Sequence, residues 1–177
     1  MKTKITLFLA AVMLLTGCDL FKKAAELTIT TNLTADIPVV VAVGKSADLF
    51  SEANAVNFSG SSTLSLAGNP DLEDYLEKIR EVDLKSVVIT VNGLSAGQTI
   101  STITVSVAGS GELGTQTNIS SASNSFTPAV NASVYSQAEA DLLADQEITV
   151  TATGTASGAM SFTVHLNFTS AIVVGAL

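Results

Sequence analysis

Residues 147–174 read EITVTATGTASGAMSFTVHLNFTSAIVV, and their alternation decides the class of fold. Ile148, Val150 and Ala152 alternate with Thr149, Thr151 and Thr153. After a turn region at 154–158, Met160, Phe162, Val164, Leu166 and Phe168 alternate with Ser161, Thr163, His165, Asn167 and Thr169. Side chains on a strand point to opposite faces in turn, so this period of two puts the apolar set on a core and the hydroxyl set in water. That is the pattern of antiparallel sheet with one wet face. The run 171–174 adds a short edge.

Working outward, the same signal recurs upstream. Residues 26–33 alternate through Leu27, Ile29, Thr31 and Leu33, while 37–43 (IPVVVAV) is a more buried run with Pro38 near its start. Weaker strand signals lie at 59–67 and stronger ones at 84–91 and 100–107. Asn92-Gly93 accommodates positive φ, so a tight turn is expected there. The polar, glycine-rich stretch 109–125 reads as a loop, and 126–135 holds at most a short strand.

One amphipathic helix is expected over 69–80 (NPDLEDYLEKIR). Asn69 suits the N-cap, Pro70 the first helical position, and Asp71, Glu73 and Asp74 the positive end of the helix dipole. Leu72, Tyr75, Leu76 and Ile79 form an apolar stripe at i, i+3, i+4 and i+7. A second, shorter helical segment is expected at 136–144. Seven to nine strands with one clear helix define a mainly β, antiparallel, two-sheet sandwich-like domain over 26–177. The cysteine–tryptophan–cysteine pattern of true immunoglobulin domains is absent.

The chain starts differently. Residues 1–17 carry Lys2 and Lys4 ahead of an apolar core at 5–15, the layout of an export signal. Eleven residues at about 1.5 Å each span roughly 16 Å, too short to cross a 30 Å hydrocarbon layer as a helix. Leu15-Thr16-Gly17-Cys18 resembles the bacterial lipobox. The resemblance implies that 1–17 is a lipoprotein signal peptide cut before Cys18. It also implies a Cys18 thioether to diacylglycerol, and 18–25 as a lipidated N-terminus and short tether. More than one acyl chain makes such attachment stable. Cys18 is the only cysteine, so no intramolecular disulfide competes for it. The implied address is the bacterial cell envelope. Asp19 resembles an inner-membrane retention signal in enterobacterial-type sorting, a rule that does not extend to Bacteroidota-type organisms, so inner and outer membrane both stay open.

Charge narrows the partners. Removing Lys2 and Lys4 from the eight basic side chains leaves six against sixteen acidic ones, net −10, and no lysine or arginine follows Lys85. Phosphate backbones need cationic contacts, which argues against nucleic acid. It also argues against direct binding of the domain to anionic lipid, so the membrane is reached through the anchor.

Catalytic and metal motifs are sparse. His165 is the single histidine, placed by its alternation on a sheet surface, and Cys18 is taken by lipid, which removes the usual Ser–His, Cys–His and zinc sets. Asp71, Glu73, Asp74 and Glu77 offer oxygen ligands for calcium, yet helix capping selects the same residues and no EF-hand spacing is present. Asp141 and Asp145, four apart, carry less weight. The segment 109–114 (GSGELG) lacks the lysine of a phosphate loop. No catalytic residue, cofactor or metal ligand is therefore assigned.

The expected function is a non-catalytic binding or assembly module recognising a protein or glycan through its loops. The alternative is a carrier or sensor of a small apolar ligand. A hydrolase built on carboxylates comes third.

Overall fold

The computed structural model describes residues 26–42 and 55–175. The signal peptide, Cys18 and most of the tether lie outside the described residues. Eight strands form two four-stranded antiparallel sheets. They are β1 (Leu27–Val41), β2 (Val56–Ser65), β3 (Ile79–Asn92), β4 (Thr99–Val107), β5 (Gly111–Ser120), β6 (Ser125–Phe126), β7 (Glu147–Ala156) and β8 (Met160–Val174). A single α-helix, α1 (Ala132–Asp145), lies between β6 and β7.

One sheet has the order β1-β8-β3-β6 and the other β2-β7-β4-β5. Successive strands mostly switch sheets, so the sandwich is an eight-stranded jelly roll, in which two Greek keys wrap one core. The expected two-sheet sandwich is present. Its C-terminal strands are not a hairpin, however. β7 pairs with β2 and β4, β8 pairs with β1 and β3, and Gly154 lies inside β7 rather than in the turn.

The alternation places the core. Leu33, Ile37, Phe168, Val164, Ile103 and Val150 are among the side chains with 1% exposure or less, drawn from the inner faces of both sheets. Phe58 and Phe162 meet edge to face, ring centres 5.2 Å apart, bridging the layers at one end. Strands expected separately at 26–33 and 37–43 are one continuous β1, with Pro38 in a sheet-edge strand where a missing N–H is tolerated. Likewise 171–174 continues β8.

The helix expected at 69–80 does not form. Short 3-10 segments run over Leu66–Gly68 and Glu73–Lys78, and Ile79 already begins β3. Asn69 N–H donates to Leu66, Leu72 to Asn69 and Tyr75 to Leu72, each an i to i−3 bond. These spacings of three present Leu66, Asn69 and Leu72 to the core. The apolar stripe was read correctly as a covering face, but the backbone carrying it is tighter than an α-helix.

The α-helix is instead the later one, longer than the expected 136–144. Asn131 caps it through its side-chain oxygen, which accepts from Ser133 N–H at 3.0 Å, and Gln146 ends it in the left-handed region at φ 61°. Val134, Ala138 and Leu142, four apart, are its buried face.

The stretch expected as a loop at 109–125 contains β5, an edge strand whose residues 115–118 are exposed. Asn92-Gly93 does not make a two-residue hairpin. Gly93 has φ 94°, but the connection continues to residue 98 and joins strands of different sheets.

Each sheet edge is managed. Asn69 Nδ2 donates to the Asn32 carbonyl on β1, and Gly60 brings β2 close to the Pro38 carbonyl. On β3, Val91 N–H donates to Asn124 O at 2.7 Å, β6 pairs at Ile89 and Thr90, and Glu139 of α1 accepts from Leu84 N–H. Such covering denies a free ladder to other chains.

Candidate functional site

All strands run between two ends of the sandwich. The end where β1 starts and β8 finishes, called the lower end, also holds both 3-10 segments, the 108–110 turn and α1. The opposite, upper end holds the β1–β2, β3–β4, β5–β6 and β7–β8 connections. Three places carry concentrated polar chemistry.

The first is the outer face of the β1-β8-β3-β6 sheet. His165 Nδ1 lies 2.8 Å from Asp36 Oδ1, its cross-strand partner on β1. Thr90, the partner of His165 on β3, meets Ser125 of β6 at 3.0 Å between hydroxyl oxygens. Asp36, His165, Thr90 and Ser125 thus form one polar row across four strands. His165 is on the sheet surface, as its alternation required. The face is a plane of side chains without a cleft, and an exposed pair of this kind is worth little to stability. Asp36 was missed as its partner because residues 26–43 were divided into two strands, which hid the register with β8.

The second is at the lower end, beneath the core. Thr31 Oγ1 donates to Asp71 Oδ2 at 2.6 Å and accepts from Asn69 Nδ2 at 3.1 Å, while Ser170 Oγ donates to the Thr31 carbonyl at 2.9 Å. Asn69 Oδ1 accepts from Asp71 N–H at 2.9 Å, so the cap expected of Asn69 is made, on a turn rather than a helix. Thr31, Asn69 and Ser170 are buried with these bonds satisfied. A concavity of about 220 Å³ lies alongside, lined by residues including Asn32, Thr34, Thr63, Ser65 and Asn69.

The third is a concavity of about 450 Å³ lined by Ala108, Asp141, Asp145, Glu147, Ile148 and Thr149. Asp141 is held by Gln137 Nε2 at 2.9 Å and Ser110 Oγ at 3.3 Å. The structure therefore brings Asp141 and Asp145 together with Glu147, which sequence reading had not joined to them because it falls after the helix. Asp71, Glu73, Asp74 and Glu77 spread along the lower turns, with Asp71 engaged by Thr31. Among the described residues, no three His, Cys, Asp or Glu side chains gather as a metal-holding set.

Neither concavity has the predominantly apolar lining that a hydrophobic ligand needs. Gly109 and Gly111 shape the turn between β4 and β5 at φ 79° and 124°. Tyr135, on α1, has its phenol held above the ordinary value, first by burial and then by the charge of Glu139. Among the described residues no helix is long and apolar enough to cross a membrane.

No protein-family model matches the chain, and no curated protein matches it. A solved structure of turnip yellow mosaic virus is similar over 86% of this chain and 82% of that one, with a TM-score of 0.38 and 10% identity.

Proposed function

We propose that the protein is a bacterial envelope lipoprotein, held to a membrane by lipid on Cys18, whose jelly-roll domain is a non-catalytic binding or assembly module for a protein or glycan. The observation that carries this reading is the lipobox Leu15-Thr16-Gly17-Cys18 behind a short apolar signal, with β1 beginning at Leu27. Loops on a rigid β scaffold are the usual place for recognition, which supports the module reading. The rows of threonine, serine and asparagine on the outer strand faces supply hydrogen-bonding groups without strong charge. Metabolic labelling with a fatty acid in a bacterial host tests the anchor. The full-length chain takes up label and sediments with membranes, while Cys18→Ala does neither; equal labelling of the two proteins sinks the assignment. Cross-linking capture on intact cells, compared with Cys18→Ala, tests the module, and an identical set of captured species from both counts against it.

A further inference from the structure

The charged side chains are segregated along the strand axis. Asp71, Glu73, Asp74 and Glu77 lie on the lower 3-10 region, with Glu81 and Asp83 at the start of β3. Glu139, Asp141 and Asp145 lie on α1, Glu147 follows it, and Glu26 and Glu112 also fall at the lower end. The basic residues among them are Lys78, Arg80 and Lys85, the last paired with Asp83. Twelve carboxylates thus meet three cations at this end. In the upper half, Asp36 and His165 are the only charged or titratable side chains among the described residues. The described upper connections at 93–98, 121–124 and 157–159 read GLSAGQ, SASN and SGA, uncharged throughout.

The same lower end receives the chain from Cys18. We propose, resting on the lipid-anchor reading, that the domain stands off the bilayer with its acidic lower end facing the membrane, presenting its uncharged upper end outward. Two effects impose this. Residues 18–25 reach at most about 28 Å when fully extended, so the lower end stays near the headgroups. An anionic membrane surface repels the carboxylates, over a range set by a Debye length of roughly 8 Å at physiological salt, so the end does not adhere. The fifteen residues of β1, at about 3.3 Å each, place the upper connections roughly 50 Å farther out. The presented surface therefore recognises its partner by hydrogen bonding and shape rather than by ion pairing.

Single-cysteine probes test this on the lipidated protein, because Cys18 is the only native cysteine and its sulfur carries the lipid. Ala67→Cys at the lower end and Ala159→Cys at the upper end each carry a fluorophore. Each protein is reconstituted in phosphatidylethanolamine–phosphatidylglycerol vesicles containing a headgroup quencher. The probe at 67 is expected to be quenched several-fold more than the probe at 159, and its quenching rises with salt as repulsion is screened. Equal quenching at both positions, in protein that floats with the vesicles, overturns the orientation while leaving the anchor intact. Absence of a salt response overturns the repulsion. Protein that fails to float with vesicles overturns the anchor, and this orientation with it.

Discussion

The carboxylate of Glu139, on α1, accepts a hydrogen bond from the main-chain N–H of Leu84 at 2.8 Å. Leu84 sits where the pairing of β3 with β8 shifts register, between Leu84 and Ser86. Below the two residues that β6 pairs, β3 has no strand on its outer side, and the helix supplies a side chain instead. A ladder group left bare by a bulge is thereby satisfied from a different layer.

Removing that acceptor is costly. Glu139→Ala is expected to lower stability by about 1–3 kcal/mol, because Leu84 N–H loses its partner in a half-buried setting. Glu139→Gln, which keeps a carbonyl oxygen at the same reach, loses less. Urea denaturation of the soluble domain measures both, and equal losses would mean that the bond itself contributes nothing.

Gly154 is the tightest backbone approach in the core. A Cβ placed there falls 2.0 Å from the Thr102 carbonyl oxygen and 2.8 Å from the Phe58 ring. β4 bulges at this point, between Ile100 and Thr102, bringing its main chain against β7. Gly154→Ala is expected to destabilise by about 3 kcal/mol, at the upper end of overpacking costs, since the first obstacle is backbone and cannot rotate away. A thermal midpoint unchanged from that of the parent protein would contradict this packing.

Asn69 joins the lower turns to β1 with three hydrogen bonds, to Thr31, the Asn32 carbonyl and Asp71 N–H. Asn69→Ala strips all three at a buried position and is expected to cost about 2 kcal/mol. Amide hydrogen exchange should accelerate first around residues 66–78, ahead of the β7 and β8 core. Uniform acceleration would show that the lower turns are not a separate unit of opening.

Alkaline stability depends on Tyr135. Its folded pKa is raised above the unfolded 10.0, by burial and then by Glu139, so folding favours the protonated phenol. The corresponding stability is fully present below the unfolded value and is lost as pH rises through the folded one. Tyr135→Phe removes that loss. The difference in denaturation free energy between variant and parent should shift in favour of the variant as pH climbs above 10, and a pH-independent difference would refute the linkage.

The β framework was legible wherever a strand has one wet face, because alternation then writes the burial pattern directly into the sequence. Met160 to Phe168 is the clearest case, with every second side chain in the core. β5 was not legible: in Gly111–Ser120 only Leu113 and Ile119 are buried, and an edge strand of glycine, threonine and glutamine carries the composition of a loop. The 69–80 helix failed for a different reason. Local signals of capping and amphipathicity were all present, but Ile79 is claimed by pairing with Val174, which leaves too few residues for a stable α-helix. Tertiary pairing overrode propensity there. Of the polar row, His165 could be placed on its face, whereas its contact with Asp36 depended on a register between residues 129 apart.

The position of β8 bears on when this chain can fold. β8 lies between β1 and β3, so the first and third strands have no common partner until the last fifteen residues of the sheet arrive. A growing chain lacking them has an open gap through the middle of one layer, and closing it joins segments from opposite ends of the polypeptide. Topologies of this kind fold slowly. For a protein exported through a narrow channel, that delay is an advantage: synthesis alone keeps it threadable until its final strand has emerged.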